Sequence, residues 1–306
     1  MCDYGQWRTG HAVTIVLCMM KQADRAIGLS STAFPPYTEI PGNAAGGWLL
    51  VCDHASNALP PEYGTLGLPP QQLERHIGYD IGAAGVTRGL ARLVGAPALL
   101  TNYSRILIDP NRGEDDPTLV MRLSDGAVVP GNAEMTDGER RARIERFYAP
   151  YHEAIDAAID RAIAAGRPPA ILSIHTFTDK WRGVPRPWHA GVLWDNDPRF
   201  PVPFLAALQA EDGIVADENV PYTGELKGDC LYRHGTKRGL AHALIEIRQD
   251  LVRDEHGQQE WAERLSRILN GMMANAQGHP DLNAICMHGS KTDMKGARRP
   301  QQAQAQ

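Results

Sequence analysis

Two histidines follow two apolar runs far apart in the chain. His54 comes just after Trp48-Leu-Leu-Val-Cys52, and His175 just after Ala170-Ile-Leu-Ser-Ile174. Neutral imidazole is the commonest metal ligand, and two imidazoles with one carboxylate make a recurrent hydrolytic zinc site. Such a donor set leaves the ion a net positive charge and an open position, so it acidifies water and polarises a carbonyl. A separate carboxylate must then carry the proton to a leaving nitrogen. Glu246, in the run Ala241 to Ile247, is one of several carboxylates at the run ends. Arginines can steady an oxyanion or fork onto a substrate carboxylate. Arg105 stands just before Ile106-Leu-Ile108, and Asp109-Pro-Asn111-Arg112 just after it. Each feature alone has an ordinary reading: a hydrogen-bonded structural histidine, a Glu–Arg pair, a turn built on Asp, Pro and Asn. Their coincidence at run ends favours a site, because ligands gather at the carboxyl ends of strands in open α/β sheets.

The third ligand is less directly marked. The third position after His54 is Asn57, a poor zinc ligand, so an H-x-x-E pair is absent. Asp80, in Gly78-Tyr-Asp80-Ile-Gly82 at the start of a helical pattern, is the preferred ligand. Asp53 and Glu74 are its rivals, and Asp80 would equally serve as a helix N-cap. The Arg-, Pro- and Trp-rich segment from Trp181 to His189 reads as a lid or carboxylate clamp using Arg182 or Arg186, or as an ordinary loop. Loops near strand ends carry function disproportionately. His234, which ends the polar stretch Gly228 to His234, and His242 further on could each touch substrate or cap neighbouring structure; His234 is assigned to the substrate and His242 to structure. Cys230 has no Cys-His signature beside it and reads as buried or incidental.

The elements that must hold these groups alternate. Short apolar runs at Trp48–Cys52, Ala98–Thr101, Ile106–Ile108, Ala170–Ile174, Gly191–Trp194 and Ala241–Ile247 predict strands. Helical spacing predicts helices over Ile81–Val94, ending at Gly95, then Phe204–Glu211 and Gln258–Ala276. Thr136-Asp-Gly-Glu139 is a capping box opening a helix to about Ala165, stopped by Pro168-Pro169. Gly126 and Gly131 mark turns and fit no nucleotide-binding glycine motif. The alternation predicts an α/β fold with a mixed, mostly parallel central sheet flanked by helices.

These residues resemble the N-formylglutamate amidohydrolase family. The resemblance rests on Asp53-His54-Ala-Ser-Asn-Ala-Leu-Pro60, Asp80-Ile-Gly-Ala83 and Tyr103-Ser-Arg105-Ile-Leu-Ile-Asp109-Pro-Asn111-Arg112. It continues through Ser173-Ile-His175-Thr-Phe-Thr178, Gly191-Val-Leu-Trp-Asp-Asn-Asp197 and Ile245-Glu246-Ile-Arg248-Gln-Asp250. These segments run in order over about residues 48–255. The family commonly carries Pro-His-Ser/Gly-Gly where this chain has Asp53-His54-Ala-Ser. The resemblance implies a phosphorylase/hydrolase-like fold shared with zinc exopeptidases. It also implies hydrolysis of N-formyl-L-glutamate to formate and L-glutamate, a late step of one route of histidine degradation. On it, His54, Asp80 and His175 would hold Zn²⁺ or another divalent transition metal, and Glu246 would be the base. Arg105 would steady the oxyanion or a carboxylate, while Asn111, Arg112, Arg186 and His234 would meet a small anionic N-acyl amino acid. Two readings compete: a carboxypeptidase-like zinc enzyme on another N-acyl amino acid or a peptide fragment, and a non-catalytic binder of a small acid.

Composition sets the outer limits. The chain has 306 residues with 31 basic and 36 acidic side chains, a net charge of −5. No global basic field exists to hold nucleic acid or an anionic membrane. Five scattered cysteines without a C-x-x-C pair give neither a disulfide framework nor a thiolate zinc knuckle, which favours a cytoplasmic location. The apolar stretch Ala12–Met20 is too short to span a bilayer. One domain is expected over residues 45–285, between an N-terminal extension (1–44) and a flexible tail (286–306). Nothing in the sequence fixes the oligomeric state.

Overall fold

The computed structural model describes residues 34–274 and 281–293. The expectations for the Ala12–Met20 stretch, the last residues of the final helix and the tail beyond Asp293 lie outside them. The sheet and the site belong to one compact unit beginning at Pro36.

The strands are β1 (Tyr37–Ile40), β2 (Trp48–Cys52), β3 (Ala98–Thr101), the hairpin β4 (Leu123–Ser124) and β5 (Ala127–Val128), and β6 (Ala170–Phe177). They continue with the hairpin β7 (Lys180–Trp181) and β8 (Val184–Pro185), then β9 (Ala190–Leu193), β10 (Ala216–Glu218) and β11 (His242–Arg248). The main helices are α1 (Ala83–Val94), α2 (Asp137–Arg143), α3 (Ala149–Ala164), α4 (Pro201–Gln209), α5 (Cys230–His234) and α6 (Glu255–Ala274). Seven strands form the central sheet in the order β1-β3-β2-β6-β11-β9-β10. The β3–β2, β2–β6, β6–β11 and β9–β10 pairings are parallel, while β1–β3 and β11–β9 are antiparallel. The expected mixed, mostly parallel α/β sheet is therefore present.

Side-chain alternation divides the core. Leu50, Cys52, Leu172, Ile174, Ala243 and Ile245 point to the face covered by α1, α4 and α6. Leu49, Val51, Ile171 and Leu244 point to the other, packed on Tyr151, Ile155 and Ile159 of α3 and on Cys230 and Leu231 of α5. Both faces being buried explains why these strands read as unbroken apolar runs. Thr136 caps α2 as expected, its Oγ1 accepting from Glu139 N at 3.1 Å. The helical path from Asp137 to Ala164 is interrupted only by a π-helical stretch at Ile144–Tyr148.

Three expectations are corrected. Tyr37–Ile40, placed beforehand in the N-terminal extension, is an edge strand paired with β3. Residues assigned to the tail are tied down: Lys291 N donates to Asp195 at 3.2 Å, and the Tyr232 hydroxyl to Asp293 Oδ1 at 2.8 Å. Ile106–Ile108 is a turn-rich buried segment instead of a strand. Its carbonyls bond to side chains, Ile106 O to Asn132 Nδ2 at 2.8 Å and Leu107 O to Arg143 Nη1 at 2.9 Å. Its Ile106 packs in a satellite cluster with Leu66, Leu68, Ile77 and Val129.

Candidate active site

Period-two alternation puts the key groups in a row. Glu246 of β11 lies opposite His175 of β6 in parallel register, so both side chains emerge from the same face near the strands' carboxyl ends. Asp53 follows β2 by one residue, two beyond Val51, which pairs with Ser173. Its Oδ2 lies 3.1 Å from His175 Nε2 and accepts from Ser173 Oγ at 3.0 Å. Its Oδ1 accepts from the buried Tyr151 hydroxyl at 2.9 Å.

Asp80 comes in from the turn before α1, its backbone N–H donating to His54 O at 2.9 Å. The helix is entered through Gly82, whose φ of 85° makes no side-chain cap. A Cβ at Gly82 would sit 2.2 Å from Val252 O, so only glycine permits this close, left-handed entry. The Asp80 carboxylate is thereby freed from capping. Its Oδ2 lies 2.8 Å from His175 Nδ1 and 3.3 Å from His54 Nδ1. Glu74 is exposed and stays apart.

Both imidazoles are held from behind. His54 Nε2 is 2.7 Å from Asp109 Oδ1, as His175 Nε2 is close to Asp53. With each Nε2–H donated to a carboxylate, each Nδ1 faces forward onto Asp80 and can give up a proton in favour of a cation, the arrangement by which proteins orient metal-bound histidines. Asp53 and Asp109 are thus orienting groups that the sequence reading did not identify; it weighed Asp53 as a ligand and Asp109 as part of a turn.

His54, Asp80 and His175 each offer one atom to a set lying within 4.8 Å of one another. They lie in a cavity of about 510 Å³ lined also by Arg105, Asn111, Arg112 and Glu246. His76, Met121, Phe177 and Tyr222 complete much of its wall, together with Trp181 from the segment read as a lid or an ordinary loop. Glu246 Oε2 is buried without a partner. Burial raises its carboxyl to about 8, with the His175 charge opposing and the Asp80 carboxylate adding to the rise. Burial also works to raise Asp80, but the charge of His54 and the hydrogen bond of His175 hold it below its ordinary value. Burial works against His175 carrying charge, yet its bonds to Asp53 and Asp80 raise it to about 10. An unpaired buried carboxylate oxygen beside two forward-facing imidazoles and a second carboxylate is a donor set that fits a divalent cation.

The arginines differ in placement. Arg105 bridges Asp109 Oδ2 at 2.9 Å and Asp80 Oδ1 at 3.5 Å. Asn111 Oδ1 accepts from Cys230 N at 3.1 Å, and Asn111 lines the cavity. Arg186 stands one layer back, bonded to Thr178 and packed 5.3 Å from the Tyr222 ring centre, both cavity-lining residues. His234 does not line the cavity. It is fully buried on α5, its Nε2 2.8 Å from His152 Nδ1 and its Nδ1 3.0 Å from Asp156 Oδ1, so packing against α3 turns it away from the cavity. His242 is structural as expected, bonded to Leu240 O at 2.7 Å.

Among solved structures, a gene product of Agrobacterium tumefaciens is similar at 32% identity and TM-score 0.76, covering 81% of this chain and 98% of that one. An N-formylglutamate amidohydrolase from Ralstonia eutropha JMP134 shares the fold at 22% identity and TM-score 0.62, over 80% of this chain and 100% of that one. No curated protein matches the chain. The N-formylglutamate amidohydrolase family model matches residues 46–253, from the foot of β2 past the end of β11. That span takes in every residue of the cavity wall named above, and the chain accordingly belongs to the N-formylglutamate amidohydrolase family and is an amidohydrolase.

Proposed function

We propose that this chain hydrolyses the amide bond of a small anionic N-acyl amino acid, N-formyl-L-glutamate first among them, releasing formate and L-glutamate. The observation that carries the reading is the convergence of two carboxylate-backed Nδ1 atoms and Asp80 Oδ2 beside the unpaired Oε2 of Glu246. His54, Asp80 and His175 would hold the cation, with zinc the expected metal for a set of two imidazoles and a carboxylate. When bound, it supplies Lewis acidity at the scissile carbonyl and acidifies water. Glu246 takes the proton of the attacking water and returns it to the amine nitrogen as the C–N bond breaks. Its raised affinity for a proton suits both halves of that transfer. Arg105, fixed by Asp109 and Asp80, presents positive charge where the carbonyl oxygen becomes anionic. Arg112 and the Asn111 amide bind the amino acid's carboxylate, and Arg186 adds positive charge behind the wall. The cavity lies within the range usual for small-ligand sites.

Formate or carboxylate release, assayed with metal-loaded protein on a panel of N-acyl amino acids and short peptides, tests the reading. N-formyl-L-glutamate should give the highest kcat/KM. Preference for a longer acyl group would move the substrate within the class. No turnover of any panel member by protein holding one zinc would end the hydrolytic reading.

A further inference from the structure

A second set of ligand-type side chains converges away from the cavity. Cys230 and His234 are one turn apart on α5, hence on one face, and His152 reaches them from α3. One ligand atom from each lies within 4.8 Å of the others. All three are buried, with 1%, 0% and 3% of Cys230, His234 and His152 exposed, and none lines the cavity.

We infer that His152, Cys230 and His234 form a separate, structural binding site for a thiophilic divalent ion such as zinc. The hydrogen bonds support this through tautomers. His234 Nδ1 faces the Asp156 carboxylate at 3.0 Å and so carries a proton; in the neutral ring Nε2 then keeps a lone pair. His152 Nδ1, 2.8 Å from that Nε2, must then donate to it. This choice leaves His152 Nε2 as a bare lone pair, buried and with no partner. An ion held between His152 Nδ1 and His234 Nε2 removes the conflict. The His152 proton then resides on Nε2, toward the Pro110 carbonyl. Asp156, itself bonded by Arg238 Nη1 at 3.0 Å, already occupies the place of a carboxylate behind a ligating histidine.

A thiolate with two imidazoles selects zinc or cobalt over magnesium or calcium. Tetrahedral bonds of about 2.0–2.3 Å place ligand atoms about 3.3–3.6 Å apart. The two nitrogens would therefore part by about half an ångström when the shared proton gives way to an ion. Cys230 loses its thiol proton to solvent on binding, and the net single positive charge of the filled site faces Asp53, which lies against Cys230. The ion would tie α5 to α3 directly behind the substrate loop, because Cys230 N holds Asn111 Oδ1.

Metal-free protein titrated with Co²⁺ tests this without any substrate. The cavity trio offers no sulfur, so a near-ultraviolet sulfur-to-cobalt charge-transfer band reports the second site alone. Two cobalt ions per chain are expected, with the band saturating at one of them. Cys230→Ser should abolish the band and keep the other ion, whereas His175→Ala should keep the band. Binding that stops at one ion without the band, or two ions without it, overturns the inference. Should Cys230→Ser fail to fold, the wild-type and His175→Ala titrations decide.

Discussion

Around His54, Asp80 and His175 the protein packs carboxylates and leaves a cavity. Around His152, Cys230 and His234 it packs rings, and none of the three lines that cavity: Tyr148 lies 4.3 Å from His152, Tyr151 5.6 Å, and His234 stacks on His152 at 5.1 Å, ring centre to ring centre. Both clusters bury three ligand-type groups, and in both a carboxylate stands behind an imidazole. The contrast lies in what else can reach them. The first opens onto a cavity lined also by the Glu246 carboxyl and by the charged Arg105 and Arg112. The second is buried, lines no part of that cavity, and has its nearest carboxylate, Asp156, bonded to His234 and Arg238. Donor type fixes which ion a cluster can hold, and access decides whether that ion can do chemistry.

The largest expected effect breaks the open cluster alone. His175→Ala should reduce turnover to background and remove the metal from the cavity. Near-wild-type activity with metal retained would dissolve the distinction drawn between the clusters.

Next comes Glu246→Gln, which keeps the shape and removes the proton acceptor. It should lower kcat by about 10²–10⁴-fold with metal content unchanged. Loss of metal in this variant would make Glu246 a ligand instead of the base.

Arg112→Ala should cost about 10–100-fold in kcat/KM, the worth of a charge-assisted hydrogen bond at a substrate carboxylate. The loss should appear mainly in KM and vanish for a substrate analogue whose carboxylates are amidated. A pure kcat effect would place Arg112 at the reacting carbonyl.

Asp53 touches both clusters, through His175 Nε2 and against Cys230. Asp53→Asn should weaken metal binding in the cavity by about 10–100-fold, as loss of an orienting carboxylate does. Equal weakening of any cobalt held by Cys230 would show the clusters to be one coupled unit.

The same two regions show what the residues alone disclose. Strands β2, β6 and β11 were legible because burial on both faces writes an apolar run, and the histidines and glutamate at their ends stood out against it. Asp80 was found beside a helix start, but its escape from capping depends on the left-handed Gly82, which pattern cannot show. Ile106–Ile108 misled because apolar β-branched residues look the same whether their carbonyls meet a neighbouring strand or the side chains of Asn132 and Arg143. Cys230 and His234 sat in a stretch that reads as polar loop, and their four-residue spacing gains meaning only because the stretch is helical. Their partner His152, 82 residues from His234, became apparent only when α3 and α5 packed together.

The smallest expected effect separates Glu246 as a buried acid from Glu246 as a partner of the metal. In metal-free protein its folded value of about 8 exceeds the ordinary 4.5. A raised acid contributes stability that is present below the unfolded value and lost as pH climbs through the folded one. Metal-free wild type should therefore lose thermal stability relative to metal-free Glu246→Gln between about pH 4.5 and about pH 8. Zinc in the cavity attracts the ionised carboxylate and draws its value down, so the pH-dependent gap between the two proteins should narrow once metal is added. Paired melting curves with and without zinc measure both gaps. A gap that zinc leaves unchanged would place the Glu246 carboxylate beyond electrostatic reach of the ion, and with it beyond reach of any water the ion activates.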